Sequence, residues 1–167
     1  MRLRILRSAE ETRGELLEME AAYVPDGTEP PEHLHPRQEE RFEVLAGTLR
    51  VRLPDGVRTL AAGEAVMVPP GTPHAMWNPG PGEARVRWET RPALGTERFF
   101  ETFFALARAG RTDARGVPGL LQLAVLVPAF REEIRLTKPP AAVQRVVFGA
   151  LAPLARALGY RAAPPPA

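Results

Sequence analysis

Three histidines occur in the 167 residues, and two of them, His33 and His35, sit one residue apart. On an extended segment, side chains at i and i+2 leave the same face, so both imidazoles approach one ion from one side. Glu40 follows the polar spacer Pro36-Arg37-Gln38-Glu39 and shares the parity of Phe42 and Val44 in the alternation that begins there. Glu39 has the opposite parity, which makes Glu40 the preferred ligand and Glu39 its competitor. The third histidine, His74, arrives from a separate segment after the rigid turn Pro69-Pro70-Gly71-Thr72-Pro73. Three neutral imidazoles and one carboxylate suit a borderline divalent ion such as iron, manganese, nickel, copper or zinc, at about 2.0–2.2 Å in the zinc case. Four protein ligands leave an open position on an ion that takes five or six, and an open position is what a catalytic metal needs. The ligand types do not select among these ions.

Side chains this far apart in sequence meet only if strands carry them. Up to residue 95 the chain is made of short alternating segments punctuated by glycine and proline, the pattern of an all-β sandwich or barrel. Leu17, Met19 and Ala21 alternate with Glu18 and Glu20, and Phe42, Val44 and Ala46 alternate with Arg41 and Glu43. Further strands are predicted over 49–53, 57–60, 65–68, 74–78 and 84–90, with Pro54-Asp55-Gly56 as a turn whose proline presets φ and whose glycine accepts positive φ. Seven or so such strands favour a closed or nearly closed barrel, because closure removes exposed edges. Phe42, Val51, Met76 and Trp88 have inward parity: they line an apolar pocket over the ion or simply fill the barrel. Tyr23 and Trp77 are weaker candidates for the same wall. Asn78 is expected to complete hydrogen bonds near the barrel mouth.

From Thr96 the period becomes helical. Thr96 is read as an N-cap, Phe99, Phe100, Phe103, Phe104 and Leu106 as an apolar stripe, and Gly110 as a stop. A second helix is predicted over 119–136 and is apolar nearly all round in its first half, with Pro128 kinking or interrupting it. The third follows Pro139-Pro140, with Val143, Val146, Val147, Ala150, Leu151, Leu154 and Leu158 as its packing stripe and Gly159 as its end. The domain plan is therefore a barrel over 1–95, a helical extension over 96–160 and a proline-rich tail over 161–167. The helices are read as packing elements, as a lid over the barrel mouth or as a dimer contact.

Composition removes several function classes. There is no cysteine, hence no disulfide framework, thiolate zinc site or cysteine nucleophile. The basic residues are 21 arginines and the single Lys138, balanced to a net charge of +2, and they recur singly in strand alternation without forming the dense block a phosphate backbone requires. Nucleic acid is therefore not expected as a partner; a solvated outer sheet face explains Arg50 and Arg52, or Arg85 and Arg87. No segment approaches the roughly 20 apolar residues of a membrane span, and the N-terminus has too short an apolar run for a secretory signal. The expected location is the cytoplasm, with a small-molecule ligand and no membrane partner.

At these residues the sequence resembles the cupin superfamily. The first stretch is similar to cupin motif one, with Gly27, five residues, His33-x-His35, four residues, Glu40, six residues and Gly47. The second resembles motif two, with Gly63, five residues, Pro69-x-Gly71, two residues, His74, three residues and Asn78. Together they cover about a quarter of the chain. The resemblance implies a mainly β fold, a double-stranded β-helix or jelly-roll barrel, here with a C-terminal α-helical extension that lies outside the core pattern. It implies His33, His35, Glu40 and His74 as metal ligands at the wide end of the barrel, and frequent homodimers. The activity it suggests is a metal-dependent, dioxygenase-like cleavage of a small organic molecule, as in quercetinase-like cupins, with Glu40 able to leave the metal and act as catalytic base. Isomerase or hydrolytic chemistry fits the same ion, and a non-catalytic sensor or storage module is the competing class.

Overall fold

The computed structural model describes residues 1–113 and 116–163. Nine strands come first: β1 (Arg2–Arg7), β2 (Leu17–Tyr23), β3 (His33–Leu34), β4 (Glu39–Ala46), β5 (Thr48–Leu53), β6 (Gly56–Ala61), β7 (Ala65–Val68), β8 (Ala75–Trp77) and β9 (Ala84–Arg91). Helices α1 (Thr96–Arg108) and α2 (Leu120–Ala129), a short strand β10 (Arg135–Leu136) and helix α3 (Ala141–Ala157) follow.

The strands form a five-stranded sheet in the order β1-β2-β9-β4-β7, a three-stranded sheet β6-β5-β8 and the pair β10-β3. Alternation decides what each face carries. Inward side chains of the large sheet, Leu17, Met19, Phe42, Val44, Val86 and Trp88, meet Leu49, Val51, Leu60 and Met76 of the smaller one in a single core. On the outer face, Arg85 donates to Glu20 at 2.9 Å and Arg87 to Glu18 at 2.7 Å. Arg41 reaches Glu43 and Arg91 reaches Glu89, both at 2.8 Å. The strand arginines are thus matched across and along the sheet by glutamates, solvent-screened pairs that contribute little to stability. Gly47, between β4 and β5, has φ +76, and a Cβ there would lie 2.8 Å from the Glu83 carbonyl oxygen, so the start of β9 packs against this turn only around glycine.

Four elements depart from the sequence reading. The N-terminal segment, read only for targeting, is strand β1, antiparallel to β2 with Leu3 opposite Ala21. Helix α1 begins one residue earlier than expected, with Gly95 at the N-cap and Thr96 already helical. Helix α2 ends at Ala129, with Pro128 in its last turn. Proline cannot donate to the preceding turn, and the residues expected to continue the helix to 136 instead turn back as β10. The stripe assigned to α3 as packing surface is largely outward: Val143, Val146, Leu154 and Leu158 are exposed, whereas Phe148 and Ala155 pack against Ala124 and Val125 of α2. Among the described residues no helix is long and apolar enough to cross a membrane. The last four residues of the proline-rich tail lie outside the described residues.

Candidate metal centre

Backbone pairing brings the histidines together. His33 on β3 and His74, just ahead of β8, exchange both main-chain hydrogen bonds, at 3.0 and 2.8 Å, so their side chains leave the same face side by side. The Gly71 amide donates to the His35 carbonyl at 2.8 Å, which seats the proline-rich turn against β3. The rings lie 4.5 Å (His33 to His74), 5.1 Å (His33 to His35) and 5.4 Å (His35 to His74) apart between centroids. One ligand nitrogen from each histidine falls within 4.8 Å of the others.

Glu40 enters from β4. It has no solvent exposure, and its Oε2 lies 3.1 Å from both His35 Nε2 and His74 Nε2. Its other oxygen, Oε1, accepts a hydrogen bond from Trp88 Nε1 at 3.0 Å. Glu39 lies opposite Arg91 on β4 and β9 and is grouped with Arg41, Met67 and Glu89 on the outer face, away from the histidines.

The second nitrogen of each imidazole fixes the tautomer. His35 Nδ1 is 2.6 Å from the Glu133 carbonyl oxygen, His74 Nδ1 is 2.9 Å from that of Thr72, and His33 Nδ1 is 3.4 Å from that of Pro31. A carbonyl only accepts, so Nδ1 is the protonated nitrogen and, in a neutral ring, Nε2 presents a lone pair. His35 Nε2, His74 Nε2 and Glu40 Oε2 are accordingly buried without a hydrogen-bond partner. The 3.1 Å contacts would be ion pairs only with doubly protonated rings; with neutral rings they set acceptor against acceptor. A cation resolves that conflict. Donors about 2.1 Å from one ion and at right angles to each other lie about 3 Å apart, which is the spacing found, so these residues fit a metal.

Charges in the cluster are coupled. Burial pushes the His33 ring down to about 3, helped by the charges of His74 and His35. Burial also acts to raise the Glu40 carboxyl, but His35 and His74 outweigh it and the net direction is down. For His74 burial acts downward and the adjacent Glu40 carboxylate more than offsets it, so the net direction is up: without an ion, positive charge is drawn to the Glu40–His74 contact, the place a bound cation would take.

The other expected residues take different places. Phe42 and Trp88 touch the site: their rings are 5.1 Å apart, and Phe42 lies 6.4 Å from His74 between centroids. Val51 and Met76 are opposite each other on β5 and β8, inside the common core. Tyr23 packs against that core, and burial together with the Glu40 charge pushes its phenol well up. Trp77 is buried opposite Arg50. Asn78 is fully engaged: its side-chain amide donates to Val24 and Gly82 carbonyls at 3.2 and 2.7 Å, and its oxygen accepts from the Gly80 amide at 2.9 Å.

Two contributors were missed. Trp88 is expected from the sequence only as apolar wall, and its hydrogen bond to Glu40 depends on the register in which Phe42 faces Trp88 across β4 and β9. Glu133 reaches His35 over a separation of 98 residues, for which the local sequence carries no signal.

A double-stranded β-helix with three histidines and a glutamate converging in its mouth defines the class. Residues 19–88 match the family model described as "Cupin domain", which places this barrel segment in the cupin superfamily. It is 34% identical over 118 residues to Germin-like protein 1-1 of Oryza sativa subsp. japonica, an alignment that takes in 67% of this chain and 49% of the relative. The chain thus spans about half the length of that curated relative. Among solved structures, the Schizosaccharomyces pombe Cnp3 cupin domain superposes with a TM-score of 0.48 at 17% identity, over 57% of this chain and 65% of that one. A cupin-2 domain containing protein from Shewanella frigidimarina gives 0.44 at 22% identity, over 54% and 79% respectively.

Proposed function

We propose that the chain binds one divalent transition metal through His33, His35, Glu40 and His74 and acts with it on a small organic molecule, as a metal-dependent dioxygenase of the quercetinase type. The observation that carries this reading is the set of buried acceptors without donors, His35 Nε2, His74 Nε2 and Glu40 Oε2, facing one another at hydrogen-bond distance. A bound ion would supply a Lewis-acid centre for an enolate or phenolate oxygen. The chain's own residues do the remainder. Glu40 is the base: Trp88 holds Oε1 in place, and Oε2 is the atom that would take a proton from a substrate hydroxyl. His33, half-buried where His74 and Glu40 have no exposure, marks the side from which a substrate enters. Phe42 and Trp88 offer it an apolar wall; Val51 and Met76 extend that wall deeper.

One observation favours a non-catalytic metal- or ligand-binding module. A cavity of about 410 Å³ lies between α2 and α3, against Val125, Pro128, Arg156 and Tyr160, whereas the side chains beside the histidines are packed into the barrel core. The two readings separate on experiment. Purified protein is expected to carry near-stoichiometric divalent metal, and His74→Ala to lose most of it. No metal after reconstitution with each first-row ion would end the metal site in both readings and leave only a ligand-binding module. Aerobic turnover of flavonols or diketones by iron-, manganese- or nickel-loaded protein supports the enzyme; tight binding without turnover across that panel supports the module.

A further inference from the structure

The helical extension enters the metal centre. β10 pairs antiparallel with β3, Leu136 opposite His33 and Arg135 opposite Leu34. Thr137 donates both its amide, at 3.2 Å, and its hydroxyl, at 3.1 Å, to the Glu32 carbonyl. Immediately before this ladder, the Glu133 carbonyl accepts the His35 Nδ1 proton at 2.6 Å. His35 and Glu40 share the 3.1 Å contact at the centre of the cluster, so what fixes the His35 ring fixes one side of the site.

Glu133 is itself held at its side chain. Its Oε1 accepts from the Gly95 amide at 3.1 Å, in the link between barrel and α1. A Cβ on Gly95 would stand 2.8 Å from that same Oε1. Gly95 has φ −93, which any residue adopts, so a side chain there would displace the flexible Glu133 carboxylate without straining the backbone. Gln144 of α3 secures the far end, donating to the Leu136 and Pro139 carbonyls at 2.9 and 2.6 Å.

We propose that Glu133, seated on Gly95, is a positioning residue for the metal centre: its carboxylate anchors the main-chain carbonyl that fixes the tautomer and orientation of His35. The inference rests on the metal-binding reading above and adds that the barrel alone does not set its metal affinity. Outer hydrogen-bond partners of ligating histidines typically contribute 10–100-fold in metal affinity. The assignment of Glu133 follows from acceptor chemistry: Gln in its place keeps an oxygen for the Gly95 amide, and Ala does not.

The test titrates cobalt(II) or manganese(II) into the full chain and its Glu133→Ala, Glu133→Gln and Gly95→Ala variants. Circular dichroism monitors the fold, and the cobalt d–d spectrum reports ligand geometry. Glu133→Ala and Gly95→Ala are expected to bind roughly 10–100-fold more weakly with a shifted cobalt spectrum, and Glu133→Gln to stay close to wild type in both. Glu133→Ala with wild-type affinity and spectrum overturns the proposal, as does a Gln variant as weak as the Ala variant. Nitrogen-15 spectra of the metal-free wild-type rings test it without a variant: His35 is expected as the Nδ1–H tautomer, and an Nε2–H ring overturns it. Wild-type protein that binds neither ion overturns the metal reading and the proposal together, whereas tight wild-type binding with unaffected variants overturns the proposal alone.

Discussion

Glu40 is a carboxylate with no solvent exposure, and among the described residues its neutral donor is the indole of Trp88. Trp88→Phe keeps an aromatic ring against Phe42 and removes the donor, leaving Oε1 buried and unpaired. A loss of about 1–3 kcal/mol in metal-free stability is expected from urea unfolding. His33 makes a pH prediction. Its ring is held down at about 3, so between there and the ordinary value near 6.5 the unfolded chain binds a proton that the folded chain does not. Stability then rises with pH across that window, by at most about 1.4 kcal/mol per pH unit for one proton. His33→Gln should flatten that part of the urea-derived profile of metal-free protein; an unchanged slope would show that the proton is bound elsewhere. The ligand cluster was legible because i, i+2 spacing and strand parity are local rules, and the same parity turns Glu39 outward. The donor to Glu40 was not, because it follows from the pairing of β4 with β9, which no local pattern states.

Gln38 shows how an element is seated. It lies in the spacer between the His pair and Glu40, and its fully buried amide donates to the Pro92 and Ala93 carbonyls at 2.8 and 3.0 Å and to Thr96 Oγ1 at 2.7 Å. The residue read as the cap of α1 thus spends its hydroxyl on the barrel. Gln38→Ala removes this donor from the Pro92 carbonyl and Thr96 Oγ1, while the Ala93 carbonyl keeps the Thr96 amide, and roughly 1–3 kcal/mol of destabilisation is expected. Hydrogen exchange should localise the effect, with amides of 96–108 exchanging faster while β2, β4 and β9 stay protected; uniform acceleration would mean that the barrel depends on Gln38 as a whole. Helices α1 and α3 were readable from their period, and Pro128 marked where α2 stops. The strand after it was not readable: Arg135-Leu136 has no alternation to speak of, and it becomes β10 only because β3 offers a free edge beside His33.

At the scale of the molecule, the Gln38–Thr96, Glu133–His35 and β10–β3 contacts join the barrel to the helical extension across residue 95. The charged outer face of the large sheet is matched pair by pair, which leaves α3 as the conspicuous unmatched surface. That helix is apolar on two faces. Phe148, Ala152 and Ala155 are buried toward the interior, while Val143, Val146, Leu154 and Leu158 are 45%, 73%, 52% and 60% exposed. We propose that a second copy of the chain covers this stripe. The largest apolar patch on a typical monomer is roughly 300–600 Å², and a standard interface takes about 800 Å² from each partner. A dimer held by this stripe alone should dissociate on dilution. Light scattering over a concentration series is expected to show exchange between monomer and dimer, and Val146→Glu with Leu154→Glu to hold the chain monomeric, because the paired stripes would then set like charges against each other. Metal binding should be unchanged in that double variant, since neither side chain belongs to the histidine cluster; a dimer that survives both substitutions would move the interface off α3 and onto the barrel.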